Sequence, residues 1–196
     1  MKIDSGINEA TLIQRCKKND EKAQLQLYRL YSKRMFNLAV RMTGDVGEAE
    51  DVLQDSFVKA LTELHKLKDE NAFGGWLKRI VINRSIDKIR NKKFKFLSIE
   101  TIHELKMEIP EELDESVDPE IVHHLIKKLP DGAREILVLR ALEGFKHAEI
   151  AEKLRISEST AKTQFFRAKQ LLAKMIKEME NENEFRKIPE GKPAEA

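Results

Sequence analysis

Cysteine is almost missing from this chain: Cys16 is the only one in 196 residues. No intrachain disulfide can form, and one thiol cannot build a zinc knuckle. A reducing compartment fits, and the cytoplasm is the expected location. Glycine (8) and proline (5) are scarce and aromatics make up 6%. No alternating apolar pattern bounded by turn residues marks a strand, so helices with thin cores and large solvated faces are expected. The N-terminal MKIDSGINEA has no apolar stretch of a leader kind. No apolar run approaches the roughly 18 residues that a membrane span needs, so no membrane insertion is expected. Catalytic signatures are missing as well: no P-loop, no paired-glycine fingerprint, no GxSxG and no HExxH. His103 and Glu104 lack the second histidine of a zinc helix. His123 and His124 are adjacent, so on a helix they point apart and cannot chelate one ion from the same face. An enzyme, a metal and a cofactor are therefore not expected.

Charge is abundant, at 36% of residues, and its balance of +2 hides an uneven distribution. Residues 23–93 carry 14 cations against 9 anions, and residues 121–180 carry 12 against 8. Between them, residues 94–120 carry 2 cations against 9 anions, with Pro110 and Pro119 interrupting any helix. Two basic blocks joined by an acidic linker suit two small domains, and basic blocks suit a nucleic-acid partner, whose counterions they release. The expected organisation is a first domain over residues 1–93, a linker over 94–120, a second domain over 121–180 and a disordered tail over 181–196.

Apolar periodicity places helices at residues 8–21, 21–43, 47–65 and 74–92, two short ones within 121–142, and a final pair. In the second helix Ala23, Leu27, Leu30, Tyr31, Arg34, Leu38 and Met42 form a mostly apolar stripe, ended by Thr43-Gly44-Asp45. In the third, Leu53, Phe57, Ala60, Leu61 and Leu64 form the buried face, while Glu48, Asp51, Gln54 and Asp55 lie off it. That acidic patch is either a solvated face or a docking surface for a basic partner helix. A loop over 66–73 follows, with Asn71 the expected N-cap of the next helix. The helix over 74–92 has two apolar sides, Leu77, Ile80 and Val81 on one and Ile82, Ile86 and Ile89 on the other. Trp76, Arg79, Asn83, Asp87 and Arg90 share the narrow polar strip between them. Such a strip offers a stacking surface and backbone-tracking cations to a single strand; alternatively the tryptophan anchors a small core.

Residues 145–172, FKHAEIAEKLRISESTAKTQFFRAKQLL, read as a helix-turn-helix. The first helix spans about 147–154, Arg155, Ile156 and Ser157 make the turn, and Ser157 is the N-cap of the second helix. Ala161, Phe165, Ala168 and Leu172 recur as its buried stripe. Ser159, Lys162, Thr163, Phe166, Arg167 and Lys169 then face outward or sideways, a set suited to a major groove. A plain helical hairpin with a charged face is the competing reading of this stretch alone.

Four stretches in order resemble a bacterial RNA polymerase sigma factor of the sigma-70 family, in its small two-domain extracytoplasmic-function (ECF) group. DVLQDSF at 51–57 resembles the polymerase-binding helix, and FGGWLKRIVIN at 73–83 the promoter-melting helix. The acidic segment 94–120 resembles the interdomain joint, and SESTAKTQFFRAK at 157–169 the recognition helix. The resemblance implies an all-α fold of two helical domains, the second ending in the helix-turn-helix. It implies binding to the clamp helices of the polymerase large subunit through Asp51, Gln54 and Asp55, with a further contact to the flap. It implies that Lys68, Asn71 and Phe73 in the loop, with Trp76, Arg79 and Asn83 on the helix, hold the −10 element as a single strand with a flipped base. The linker acids would lie in the path of nascent RNA. Ser159, Thr160, Lys162, Thr163, Gln164, Phe166 and Arg167 would read the −35 duplex. An anti-sigma factor wedged between the domains is a further implied partner, and neither cofactor nor catalysis is implied. The chain departs from the family at Arg155, where glycine is frequent, so a positive φ there would cost about 1 kcal/mol. It departs also at Gln164, where arginine is frequent, and at Ala161, in place of a larger buried residue. A stand-alone helix-turn-helix regulator of duplex operators is the alternative, but it needs neither the acidic helix nor the tryptophan strip.

Overall fold

The computed structural model describes residues 8–95 and 118–186, and among these every regular element is helical. They fall into two compact units. The first holds α1 (Glu9–Lys17), α2 (Glu21–Thr43), α3 (Val46–Thr62) and α4 (Phe73–Lys95), with 3₁₀ turns at Leu64–Lys66 and Glu70–Ala72. The second holds α5 (Pro119–Lys128), α6 (Asp131–Leu137), a π-helical turn at Val138–Leu142, most of α7 (His147–Leu154) and α8 (Glu158–Arg186).

Short polar side chains set the helix starts of the first unit. Asn8, Asp20 and Asp45 accept the backbone N–H groups of Ala10, Ala23 and Glu48 at 3.0, 3.1 and 2.8 Å. Each satisfies a donor that the first turn leaves unpaired. Gly44 ends α2 with φ +76°, its N–H bonded to the Val40 carbonyl at 2.8 Å. Helices α2, α3 and α4 pack on one another, and α1 packs on α2. Both apolar sides of α4 are buried, from Leu77 through Val81 and Ile82 to Ile89. Burying several such side chains contributes roughly 1.5–3 kcal/mol each, which fixes α4 and hence the strip it exposes.

The α2 stripe differs from expectation in its middle. Leu30 is 39% exposed, and Met35 and Ala39 are buried instead. Tyr31 is the residue that turns inward there: its ring lies edge-on to Phe73 at 5.2 Å and its hydroxyl donates to Glu9. Leu30 precedes it by about 100° of helix turn and so faces away. Gly74 makes this close approach possible, since a Cβ there would lie 3.1 Å from the Tyr31 ring. Asn71 is not the cap of α4. Asp69 caps the 3₁₀ turn by accepting the Asn71 N–H at 3.0 Å, and α4 starts at Phe73.

In the second unit Asp118 caps α5, accepting the Glu120 N–H at 2.9 Å, with Pro119 in the first turn where it has no donor to lose. Leu125 and Ile126 of α5, Leu129 just after it, Ala133, Ile136 and Leu137 of α6, and Ala161, Ala168, Leu172 and Ile176 of α8 are buried. The guanidinium of Arg134, itself buried, donates to the Leu129 carbonyl at 2.7 Å and so closes the end of α5. The π turn widens the helix after Leu137, with Glu143 N–H bonded to the Val138 carbonyl at 3.0 Å. Leu142, at the end of this turn, is 44% exposed. Helix α8 continues through Arg186, so the first six residues of the segment expected as a disordered tail, 181–186, are helical. The rest of that tail and the body of the acidic linker, residues 96–117, lie outside the described residues.

Candidate nucleic-acid and partner interfaces

Three surfaces carry the residues singled out above. On α3, Val52, Leu53, Ser56, Phe57 and Ala60 are buried, which turns Asp51, Gln54 and Asp55 to solvent at i, i+3 and i+4. The structure adds a partner the sequence reading missed. Lys88 of α4 reaches across to Asp51, Nζ to Oδ2 2.7 Å, with side chains 39% and 64% exposed. Asp51 accepts this hydrogen bond and thereby pushes the Lys88 ammonium above its ordinary range, burial opposing, with Glu48 and Asp55 adding to the rise. Only the packing of α3 on α4 brings residues 37 positions apart together, so no local pattern signals this pair.

The second surface joins the loop before α4 to the α4 strip. Arg79 and Asn83 are exposed and Trp76 is half-buried. The indole lies 6.0 Å from the Phe73 ring at a tilt of 54°. Farther along the strip Arg90 pairs with Asp87. Lys68 and Asn71 are exposed beside it. Phe73 is not available to a ligand: it is fully buried, between Tyr31 and Trp76. As the first residue of α4 it turns into the core and backs the tryptophan, so it leaves the set of residues expected to touch DNA.

The third surface is the helix-turn-helix. Arg155 takes φ +56°, the left-handed turn foreseen from the departure at this position. Ile156 N–H bonds to the Ala151 carbonyl at 3.0 Å, closing α7. Ser157 caps α8, its Oγ accepting the Thr160 N–H at 3.0 Å. The hydroxyls of Ser159 and Thr160 lie 2.8 and 2.7 Å from that same oxygen, and Thr163 donates to the Ser159 carbonyl at 3.0 Å. Ser159, Lys162, Thr163 and Phe166 are exposed, and Gln164 and Arg167 are half-buried. At about 100° per residue, Ser159, Lys162, Thr163 and Phe166 share one face, with Arg167 at its edge and Thr160 and Gln164 on the flank. Lys162 pairs with Glu158 at 2.8 Å and holds that carboxyl below the usual range. Phe165, expected in the buried stripe, is half-buried, with its ring edge-on to His147 at 5.5 Å.

Among the described residues no group of His, Cys, Asp and Glu is arranged to hold a metal ion, and no helix is long and apolar enough to cross a membrane.

Two helical units, one bearing an acidic helix face and the other a helix-turn-helix, define an all-α protein built for DNA and a protein partner. Comparison with known families makes this specific. Residues 27–95 match the family model "Sigma-70 region 2", and residues 120–172 match "Sigma-70, region 4". The chain is 30% identical over 179 residues to the ECF RNA polymerase sigma factor SigW of Bacillus subtilis, covering 85% of this chain and 96% of that one. It is 30% identical over 178 residues to the RNA polymerase sigma-H factor of Pseudomonas aeruginosa, covering 84% and 92%. Among solved structures, the sigma factor RpoE of Bartonella quintana, in complex with the anti-sigma factor NepR, is similar in fold. It is 20% identical, with a TM-score of 0.50, over 78% of this chain and 95% of that one. The chain belongs to the sigma-70 family, in its ECF group. It is a sigma factor, a transcription initiation factor and not an enzyme.

Proposed function

We propose that three surfaces divide the work of this sigma factor. The acidic face of α3, Asp51, Gln54 and Asp55, docks on the clamp helices of core RNA polymerase. Lys68, Asn71, Trp76, Arg79 and Asn83 hold the −10 element as a single strand. Ser159, Thr160, Lys162, Thr163, Gln164, Phe166 and Arg167 read the −35 duplex, with the second unit seated on the polymerase flap. The observation that carries the reading is the α3 face: three polar side chains of one sign or neutral, exposed on a helix whose other side is buried, within the region 2 match. A helix fixed in this way presents its charges without a backbone ordering cost at docking. The fold it shares with a solved sigma factor held by an anti-sigma factor supports an anti-sigma partner here as well. Action on promoter DNA would be carried out in the cytoplasm, which is the location that goes with this reading.

The test adds the chain to sigma-free core polymerase and a pool of promoter fragments. Run-off transcripts from a selected subset are expected. Asp51→Arg is expected to abolish holoenzyme assembly by charge reversal, because a buried or interfacial like-charge contact costs several kcal/mol. Holoenzyme formation by that variant at wild-type affinity would remove α3 from the interface.

A further inference from the structure

We infer that Lys17 of α1 is a positioning residue for promoter opening: it anchors the 67–73 loop from beneath and so sets where Lys68 and Asn71 meet the single strand. This rests on the reading of that loop as part of the −10 surface. Helix α1 precedes residue 27, where the region 2 match begins.

The loop has a three-residue period. Leu64, Leu67 and Phe73 are buried and Glu70 is turned inward with them, while Lys68, Asp69, Asn71 and Ala72 are exposed. The 3₁₀ turns at 64–66 and 70–72 pair Leu64 with Leu67 and Glu70 with Phe73, since positions i and i+3 eclipse. Three of the four inward groups are apolar and hold by packing. Glu70 is a carboxylate and needs a partner. Lys17 supplies it, Nζ to Oε1 2.8 Å, and the same ammonium donates to the Leu67 carbonyl at 2.8 Å. One cation therefore ties both ends of the segment that carries Lys68. Gln14, one turn earlier on α1, donates to the same Glu70 oxygen. The Lys17 and Glu70 side chains are 21% and 19% exposed, so salt screens this pair less than one in open solvent. The anchor is itself fixed: Leu12, Ile13 and Cys16 bury the other side of α1. The Lys17 hydrogen bond holds the Glu70 carboxyl below the usual range, so the tie is intact at neutral pH. Base selection requires side chains fixed within a fraction of an ångström, and Lys17 and Gln14 are the α1 side chains that hydrogen-bond to this loop among the described residues.

The experiment uses the full chain assembled with core polymerase and a promoter recovered from the pool selection. Labelled single-stranded −10 oligonucleotides, intact or carrying one abasic site, are the probes. Lys17→Met is expected to lower the discrimination between intact and abasic probes about tenfold, the size set by a lost hydrogen bond to a charged group. Core affinity is expected to stay at the wild-type value, and Lys17→Arg to restore discrimination. Adding Glu70→Leu to Lys17→Met should cause no further loss, since both act through one contact. Wild-type discrimination in Lys17→Met, or additive losses in the double variant, overturns the inference. Lys68→Ala and Asn71→Ala separate the two levels. If these lose discrimination and Lys17→Met keeps it, the anchor role alone falls. If neither loses it, the loop reading falls and the inference with it. Should Lys17→Met fail to fold, Glu70→Gln takes its place, keeping shape and acceptor without charge. A partial loss is then expected, and no change overturns the inference.

Discussion

Replacing Arg155 by glycine should stabilise this protein. Arg155 adopts φ +56° at the turn between α7 and α8, with its side chain exposed. For an L-residue with a Cβ the left-handed region costs about 1–2 kcal/mol, from the clash of Cβ with the carbonyl oxygen. Glycine removes that clash but loses about 0.5–1 kcal/mol more chain entropy on folding. At mid-range, about 1.5 against about 0.75 kcal/mol, the difference favours glycine by about 0.75 kcal/mol. For a unit of 60–100 residues that corresponds to a rise of about 3–6 °C in melting temperature. Calorimetry of the full chain measures it, and Arg155→Ala is the control, because alanine keeps the Cβ and drops the guanidinium. Melting temperature is expected to rise for glycine and to change little for alanine. An equal rise in both would assign the effect to the lost arginine. A fall with glycine would mean that the turn is held by contacts rather than strained. Asn19, the other described non-glycine residue with positive φ, at +60°, should gain less from the same change, since asparagine tolerates this region better.

Three further outcomes follow from the geometry. Trp76→Ala should reduce open-complex formation and leave core binding intact, because the indole is half exposed beside Phe73 and is not part of the Asp51, Gln54 and Asp55 face; equal loss of both in paired assays would make the tryptophan a structural residue. Lys162→Ala should lower the slope of log affinity against log salt for −35 duplex by about 0.9, the release expected of one phosphate contact, while Glu158→Gln should tighten duplex binding by freeing Lys162 from its 2.8 Å pair; unchanged titrations would remove Lys162 from the interface. The carboxyls of Asp20 and Glu70 both lie below their ordinary range in the folded chain, Asp20 chiefly through the Ala23 N–H and Glu70 chiefly through Lys17. Depressed carboxyls contribute stability that is fully present above their unfolded pKa values, near 4, and is lost as pH falls through the lower folded values. Melting temperature should therefore drop on acidification below about pH 4, and Glu70→Gln should flatten that drop. A pH profile identical to wild type would deny Glu70 its share.

Local chemistry made much of this fold legible. Helix α7 begins and ends where its apolar spacing places it, Ser157 caps α8, and Gly44 stops α2, because each is decided by residues within one turn. The two-sided burial of α4 was readable from its isoleucines, and with it the exposed strip. Tertiary contacts decided the rest. Leu30 and Met35 exchange roles because Tyr31 swings onto Phe73, and Phe73 is core because the chain enters α4 through it. The pairing of Lys88 with Asp51 and the anchoring of Glu70 by Lys17 join residues far apart in sequence, beyond the reach of any periodicity. The π turn and the reach of α8 past residue 180 break rules of propensity and composition that hold only on average.

The bridge between Asp51 and Lys88 changes the thermodynamics of docking on α3. A basic group that takes the Oδ2 oxygen of Asp51 displaces the Lys88 ammonium 2.7 Å away. At that position assembly is an ion exchange, with one pair broken for each pair formed, so the net number of charge contacts does not rise there. Holoenzyme formation would then depend on salt less steeply than a count of interfacial ion pairs suggests. The specificity of docking would come from geometry at Gln54 and Asp55, with the lysine acting as a counterion that any partner must outcompete.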